Sequence, residues 1–129
     1  VNADGRPDLL TANSQASAEF RLTALLRDTT GADTFFVSTH SYPGVAPTAL
    51  LLAHLDADGR PDLLVADNSD HKIYLFRQVP GPALAFAAPA ELATGLGPRA
   101  LLMADLDADG RQDLATANDV EPTVSVLYG

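Results

Sequence analysis

One short acidic pattern recurs three times in this chain of 129 residues and constrains its fold more than any other feature. It reads Asp-Ala-Asp-Gly-Arg-Pro-Asp-Leu at 56–63, Asp-Ala-Asp-Gly-Arg-Gln-Asp-Leu at 107–114, and Asn-Ala-Asp-Gly-Arg-Pro-Asp-Leu at 2–9. Successive copies are 54 and 51 residues apart, and 13 of the 18 positions of 49–66 are identical in 100–117. A period near 50 residues predicts a repeat architecture rather than a single irregular core.

The spacing of the acids within each copy predicts a cation-binding loop. Carboxylates at alternate positions of a tight loop can turn toward one point, and the glycine after the second acid permits a positive φ. The carbonyl of the arginine that follows can face the same point. The last aspartate of the copy, Asp62 or Asp113, closes the site from the next segment. This all-oxygen cage suits calcium and offers zinc no soft ligand.

One further position distinguishes the copies. Two residues before the first acid, the third loop has Asp105, whereas the second has His54, which is a poor calcium ligand. In the first loop this position falls before Val1. The third loop is therefore predicted to be the most complete site, and the second to bind more weakly or to use water in place of the missing carboxylate.

Neither a plain turn nor a helical calcium motif accounts for the loops. Asp-Gly is a strong hairpin signal, but a plain turn does not explain the additional acids, which would repel without a cation and raise one another's pKa. An EF-hand needs flanking helices and a bidentate Glu at its twelfth position, where Thr116 stands. A dockerin also needs helices and a much shorter repeat. The flanks here, such as 63–66, are short apolar runs typical of strands.

Composition sets limits on the class of protein. The length predicts about one domain, and a net charge of −9 with a pI near 4.4 argues against nucleic acids and anionic membranes as partners. There is no cysteine, so a secreted domain of this size needs another staple, such as a metal. No apolar run approaches the roughly 18 residues of a membrane span, and no signal peptide opens the chain. We therefore expect no membrane insertion, and a secreted protein would be represented here by a mature segment.

The chain predicts ten strands and little helix, because helical periodicity is poor throughout. The unit that carries the second loop follows the order strand, acidic loop, strand, turn, strand, turn, strand, and 92–98 returns the chain to the next unit. The segment 16–26 could be misread as a helix because it is rich in Ala, Glu and Leu. The predicted strands are 7–13, 20–26, 34–39, 48–55, 61–67, 72–78, 84–88, 99–106, 112–118 and 123–128.

The loops, with Leu after the last Asp and Ala-Asn or Ala-Asp soon after, resemble the FG-GAP and VCBS repeats. These repeats build the calcium-binding β-propellers of integrin alpha subunits, some fungal lectins and many secreted bacterial proteins. The Phe-Gly and Gly-Ala-Pro signatures are not preserved, so the VCBS form is the closer match. The resemblance covers essentially the whole chain and implies an all-β fold of propeller blades, each of four antiparallel strands.

The resemblance also implies Ca²⁺ in the loop that joins the first and second strands of each blade. An Asn at the first position of the first loop is common in VCBS repeats, whereas His54 departs from the pattern. The implied ligands are Asp105, Asp107, Asp109, the carbonyl of Arg111 and Asp113 in the third loop; Asp56, Asp58, the carbonyl of Arg60 and Asp62 in the second; and Asn2, Asp4, the carbonyl of Arg6 and Asp8 in the first.

By this resemblance the chain holds about two and a half blades: a blade remnant at 1–46, a full blade at 47–97 and a partial blade at 98–129. Propellers usually have four to eight blades, and open blade edges are a liability for a free monomer. We therefore expect the chain to be part of a larger propeller, or to complete one as a homo-oligomer.

The expected function is that of an extracellular, secreted module (or a periplasmic or cell-surface one), lectin-like or adhesive, that binds a glycan or a protein. The alternative is a non-catalytic domain of a secreted polysaccharide-acting enzyme. No catalytic residue is predicted: in 38–41 His40 stands beside hydroxyls, but adjacent strand residues face opposite sides and no acid is placed to orient the His. Ligand-binding residues are not fixed by the sequence; the candidates are Phe36, His40, Tyr42, Tyr74 and Tyr128.

Overall fold

The computed structural model describes residues 6–14, 19–27, 35–43, 46–81 and 84–129. These residues form ten strands in three antiparallel sheets, with no helix among them, so the predicted all-β class is confirmed. None of the described segments is a helix long and apolar enough to cross a membrane. The strands are β1 Leu9–Ser14, β2 Glu19–Arg27, β3 Phe35–Pro43, β4 Pro47–Ala53, β5 Asp62–Asp67, β6 Lys72–Phe76, β7 Ala90–Ala93, β8 Pro98–Ala104, β9 Asp113–Asn118 and β10 Thr123–Leu127.

Each sheet is a meander of sequential strands. The first sheet has the order β1-β2-β3, the second β4-β5-β6-β7, and the third β10-β9-β8. The second and third sheets share one register, since Leu51 pairs with Leu64 as Leu102 pairs with Ala115. In both, the acidic loop joins the first strand of the sheet to the second, as predicted.

The fourth strand of the second sheet lies later in the chain than predicted. The sequence placed it at 84–88, but this segment makes only one isolated bridge, between Phe86 and Gln78, and the paired strand is Ala90–Ala93. Pro89, which has no N–H to donate to a ladder, separates the two stretches. The prediction at 84–88 was therefore wrong in position, although Leu84 in this segment is buried.

The second sheet is central because both of its faces are covered. All six residues of β5 are buried, and strand alternation sends them to opposite sides. Leu63 and Val65 pack toward the first sheet, whereas Leu64 and Ala66 pack toward the third. This explains why β5 is a continuous apolar run between its terminal aspartates rather than an alternating one.

Aromatic side chains fill the space between the first and second sheets. Phe20 and Phe76 are fully buried and meet edge to face, with ring centroids 6.1 Å apart. Tyr42 lies closer to Phe76, at 4.5 Å, and Tyr74 joins the same cluster. Such aromatic pairs contribute about 0.5–1.5 kcal/mol each beyond the area that they bury.

The second and third sheets are joined by apolar packing and by a tight connection. The hydroxyl of Thr48 donates to the carbonyl of Pro98 at 2.6 Å, and the amide of Asn68 donates to Asp119 at 2.9 Å. Gly97 has φ of +76°, and a Cβ there would lie 2.4 Å from a carboxylate oxygen of Asp119. Only glycine fits at this position without a shift of its neighbours.

The outer face of the third sheet is apolar and exposed. Val124 is 67% exposed and Leu102 is 58% exposed. Their counterparts on the second sheet, 51 residues earlier, are Ile73, which is fully buried, and Leu51, which packs against the third sheet. The same repeat position is therefore core in one sheet and surface in the next.

Candidate metal centre

The third acidic loop gathers three carboxylates at one point. Asp105, Asp107 and Asp109 lie between the end of β8 and the start of β9, and each offers an oxygen within 4.8 Å of the others. All three side chains are exposed. Among the described residues, these three form the group of acidic, His or Cys side chains that lie close enough together to hold a metal ion. The sequence prediction that these residues approach one another is confirmed.

Backbone amides of the loop hold these carboxylates in place. The N–H of Asp109 donates to Asp105 and to Asp107, at 3.1 Å in each case. Gly110 donates to the other oxygen of Asp105 at 2.9 Å, and Arg111 donates to Asp109 at 2.8 Å. The positive φ predicted for the loop glycines is confirmed, at +90° for Gly110 and +76° for Gly59. The donor set is all oxygen and exposed, so it fits a hard cation such as calcium.

Asp113 plays a different part from the other acids of the third loop. Its side chain is 1% exposed, and its two oxygens accept N–H groups from Gly129 at 2.9 Å and Leu106 at 2.8 Å. These backbone hydrogen bonds, from Gly129 first and Leu106 second, hold the pKa of Asp113 below its usual range. Asp113 therefore fixes the loop against the end of β10, and it does not belong to the three-carboxylate cluster.

The second loop has the same motif but a different environment. Asp62 is fully buried and accepts the N–H of Gln78 at 3.0 Å and the Nη1 of Arg77 at 2.6 Å. The same Nη1 lies 3.2 Å from Asp56. Asp58 bonds to both the N–H of Arg60 at 2.8 Å and its Nη2 at 2.5 Å. A guanidinium thus lies between the first and last carboxylates of the loop.

Local hydrogen bonds set the pKa of Asp58. They lower this pKa from its ordinary value. The backbone N–H of Arg60 is the main cause, and the side chains of Asp56 and Arg60 lower it further. The carboxylate is thus held in its charged form.

Most of the first loop lies outside the described residues, including Asn2 and Asp4. Asp8 is described, and it accepts the N–H of Arg27 at 2.9 Å. The calcium-ligand assignments for all three loops, including the carbonyls of Arg6, Arg60 and Arg111, stay predictions.

The main feature that the sequence reasoning missed is Arg77. Gln78 bonds to Asp62 as Gly129 bonds to Asp113, so Arg77 occupies the position that Tyr128 has in the third unit. Aligning the two units beyond the loop would have revealed an arginine and a tyrosine at one repeat position. The difference matters because only the arginine carries a charge.

The aromatic candidates for ligand contact divide into packed and exposed groups. Tyr74 is 2% exposed, and Tyr42 packs on Phe76, so both belong to the core. His40 is half-buried, with its ring 6.2 Å from that of Tyr42. Tyr128 is 69% exposed and lines a cavity together with Leu55 and Gln112, which flank the second and third acidic loops. The side chain of Phe36 lies outside the described residues.

The three antiparallel sheets pack face to face, and in two of them an acidic loop follows the first strand. This arrangement defines a repeat protein of the β-propeller type. The family model described as FG-GAP-like repeat matches residues 1–65 and again residues 54–116. The chain belongs to this family, as the sequence resemblance indicated. Repeats of this family are generally structural modules without catalytic activity. Comparisons with curated proteins and with solved structures gave no significant match.

The environment of Asp113 predicts a pH dependence of stability. Its pKa is lowered in the folded protein, so its stabilising effect is fully present above the unfolded value of about 4 and is lost as the pH falls through the folded value. We expect Asp113→Asn to lower Tm in chelator at pH 7, because Asn offers one acceptor oxygen where two N–H groups need partners.

Thermal unfolding of Asp113→Asn and of the parent should be compared in chelator from pH 7 down to pH 2.5. The difference in Tm should shrink below about pH 4. A difference that stays constant over this range would contradict the role given to the ionised carboxylate.

Proposed function

We propose that this chain is a non-enzymatic, extracellular β-propeller repeat module that calcium stabilises at the third acidic loop. The observation that carries this proposal is the convergence of Asp105, Asp107 and Asp109 within 4.8 Å. Three exposed carboxylates at this distance repel one another, and a divalent cation removes that repulsion. The loop glycine and the backbone hydrogen bonds orient the carboxylates before any ion binds.

Calcium in this role is structural. The third loop joins β8 to β9, and the bonds of Asp113 tie the same loop to the end of β10. An ion bound by the loop would therefore link all three strands of the third sheet. We propose that the domain acts outside the cell or at its surface, where calcium would fill a site with the affinity of about 0.1–1 mM that extracellular calcium modules have.

The calcium proposal predicts the loss of one site in Asp105→Asn/Asp107→Asn. Calorimetric titration should detect one calcium fewer in this variant than in the parent, which should bind at the third loop with a Kd of about 0.1–1 mM. At tenfold excess over Kd, that site should add about 1.4 kcal/mol to the free energy of unfolding of the parent. Asp119→Asn, which changes an acid outside the loops, should bind as the parent does. Equal calcium counts in the parent and in the double variant would contradict the proposal.

We further propose that another sheet of the same repeat covers the outer face of the third sheet. The support is the internal correspondence: Val124 and Leu102 repeat Ile73 and Leu51, whose face packs against a neighbouring sheet. In the isolated chain a second copy would supply the cover, and in a larger propeller the next blade would. An exposed apolar sheet face of this kind is typical of an interaction surface.

Light scattering of the purified chain tests this association. The parent in millimolar calcium should have the mass of a defined multimer, and Leu102→Lys/Val124→Lys should reduce it to that of a monomer, because a charge buried in such an interface costs several kcal/mol. Val120→Lys is the control, since Val120 is 59% exposed but lies in the turn after β9. A multimer that survives the double substitution would contradict the assignment of this face.

We propose that the protein binds its ligand in the groove between the second and third acidic loops. This groove has a volume of about 400 Å³ and is lined by His54, Asp56, Arg111 and Gln112, among others. That is within the range of ligand pockets. Exposed Tyr128 lines the adjoining cavity, so polar groups and one aromatic ring stand side by side. This combination favours a glycan over a purely apolar ligand.

A panel of immobilised glycans in saturating calcium tests the groove. We expect binding that falls at least tenfold (about 1.4 kcal/mol) in Arg111→Ala, since Arg111 lines the groove and its side chain is exposed. Arg99→Ala removes an arginine from outside the groove and should bind as the parent does. Absence of binding to every glycan would contradict this recognition role and leave the calcium proposal intact.

A further inference from the structure

The second acidic loop does not offer calcium the environment that the third loop offers. The third loop contains four aspartates and one arginine, Arg111, whose guanidinium approaches Asp109 at 3.5 Å. In the second loop three aspartates face two guanidiniums, those of Arg60 and Arg77. The fourth acid is absent because His54 stands where the third loop has Asp105. The negative charge that would attract a divalent ion is therefore smaller.

The position of Arg77 decides which atoms a metal could reach. Its Nη1 lies 2.6 Å from Asp62 and 3.2 Å from Asp56, so one nitrogen contacts the first and last carboxylates of the motif. These are the acids whose third-loop counterparts are Asp107 and Asp113. A calcium ion bound to the same oxygens would have to displace the guanidinium.

The pairing of buried Asp62 with Arg77 reduces what calcium could gain from that displacement. Asp62 is fully buried, and Arg77 and the N–H of Gln78 are its partners in the structure. Arg77 already supplies the cation that this buried carboxylate needs, so calcium would only replace one positive partner by another. The third unit meets no such requirement, because Tyr128 replaces the arginine and Asp113 is satisfied by backbone N–H groups alone.

We propose that Arg77 is the resident cation of the second loop, so that this loop folds without calcium although it carries the same motif. The inference rests on the proposed function in one respect, since it takes the third loop to bind calcium. It adds that the second loop does not. Arg77 and His54 are then the residues that determine which copy of the motif takes a metal.

The first experiment measures stability in chelator, where calcium plays no part. We expect Arg77→Met to lower Tm by about 5–10 °C, because Asp62 loses its charged partner in the interior. Arg77→Lys keeps the cation and should retain most of the Tm. Arg99→Met, which removes an arginine from an exposed pair with Asp119, is the control and should shift Tm by no more than about 2 °C. Equal Tm values for Arg77→Met and the parent would overturn the proposal.

The second experiment counts calcium ions in Asp105→Asn/Asp107→Asn, in which the third loop is disabled. Adding His54→Asp and Arg77→Tyr to this variant gives the second loop the residues of the third. We expect the fourfold variant to bind one calcium more than the double variant. An equal count in the two would overturn the assignment of Arg77 as the resident cation.

The two proposals fail in different ways. If the third loop binds no calcium, the parent and Asp105→Asn/Asp107→Asn have the same count, and the proposed function fails. If the second loop already binds calcium beside Arg77, the fourfold variant gains nothing, and only the further inference fails.

Discussion

The last carboxylate of each acidic loop, fully buried at Asp62 and Asp113 and half-buried at Asp8, holds its described unit together. It accepts an N–H from the second residue after β6 or β10, or from the last residue of β2 in the first sheet. It thereby joins the loop to a strand that does not flank the loop in sequence. The bonds run from Arg27 to Asp8 at 2.9 Å, from Gln78 to Asp62 at 3.0 Å and from Gly129 to Asp113 at 2.9 Å. Each of these hydrogen bonds requires the last Asp of the motif. That residue therefore stabilises its sheet whether or not its loop binds an ion.

Most of the fold could be predicted from the sequence because the repeat supplied it more than once. Short apolar runs on either side of a recurring loop indicate strands, and the ten strands were found in this order. The error at 84–88 arose because that segment is apolar and strand-like, whereas pairing with β6 is decided by register and by Pro89. Such information lies in the partner strand rather than in the segment itself.

The candidate site was predictable only in part. The alternation of Asp105, Asp107 and Asp109 was enough to predict that they converge, because the glycine allows the tight turn. The contact of Arg77 with Asp62 was not predictable from the motif, since the arginine lies 15 residues beyond Asp62 and contacts it from the end of the neighbouring strand β6. Loops that share one motif can therefore differ in chemistry through a residue that lies outside the motif.

The second and third loops line one groove. Their charges are therefore concentrated at one end of the sheets. Electrostatic fields extend about 8 Å at physiological ionic strength, so neighbouring loops contribute to a single potential at this end of the sheets. A divalent ion in one loop would make that potential less negative over the whole groove, while the opposite end of the sheets would be unaffected. The dipole moment of the domain would then follow the calcium concentration around it, and charged molecules would approach it differently in calcium-rich and calcium-poor surroundings.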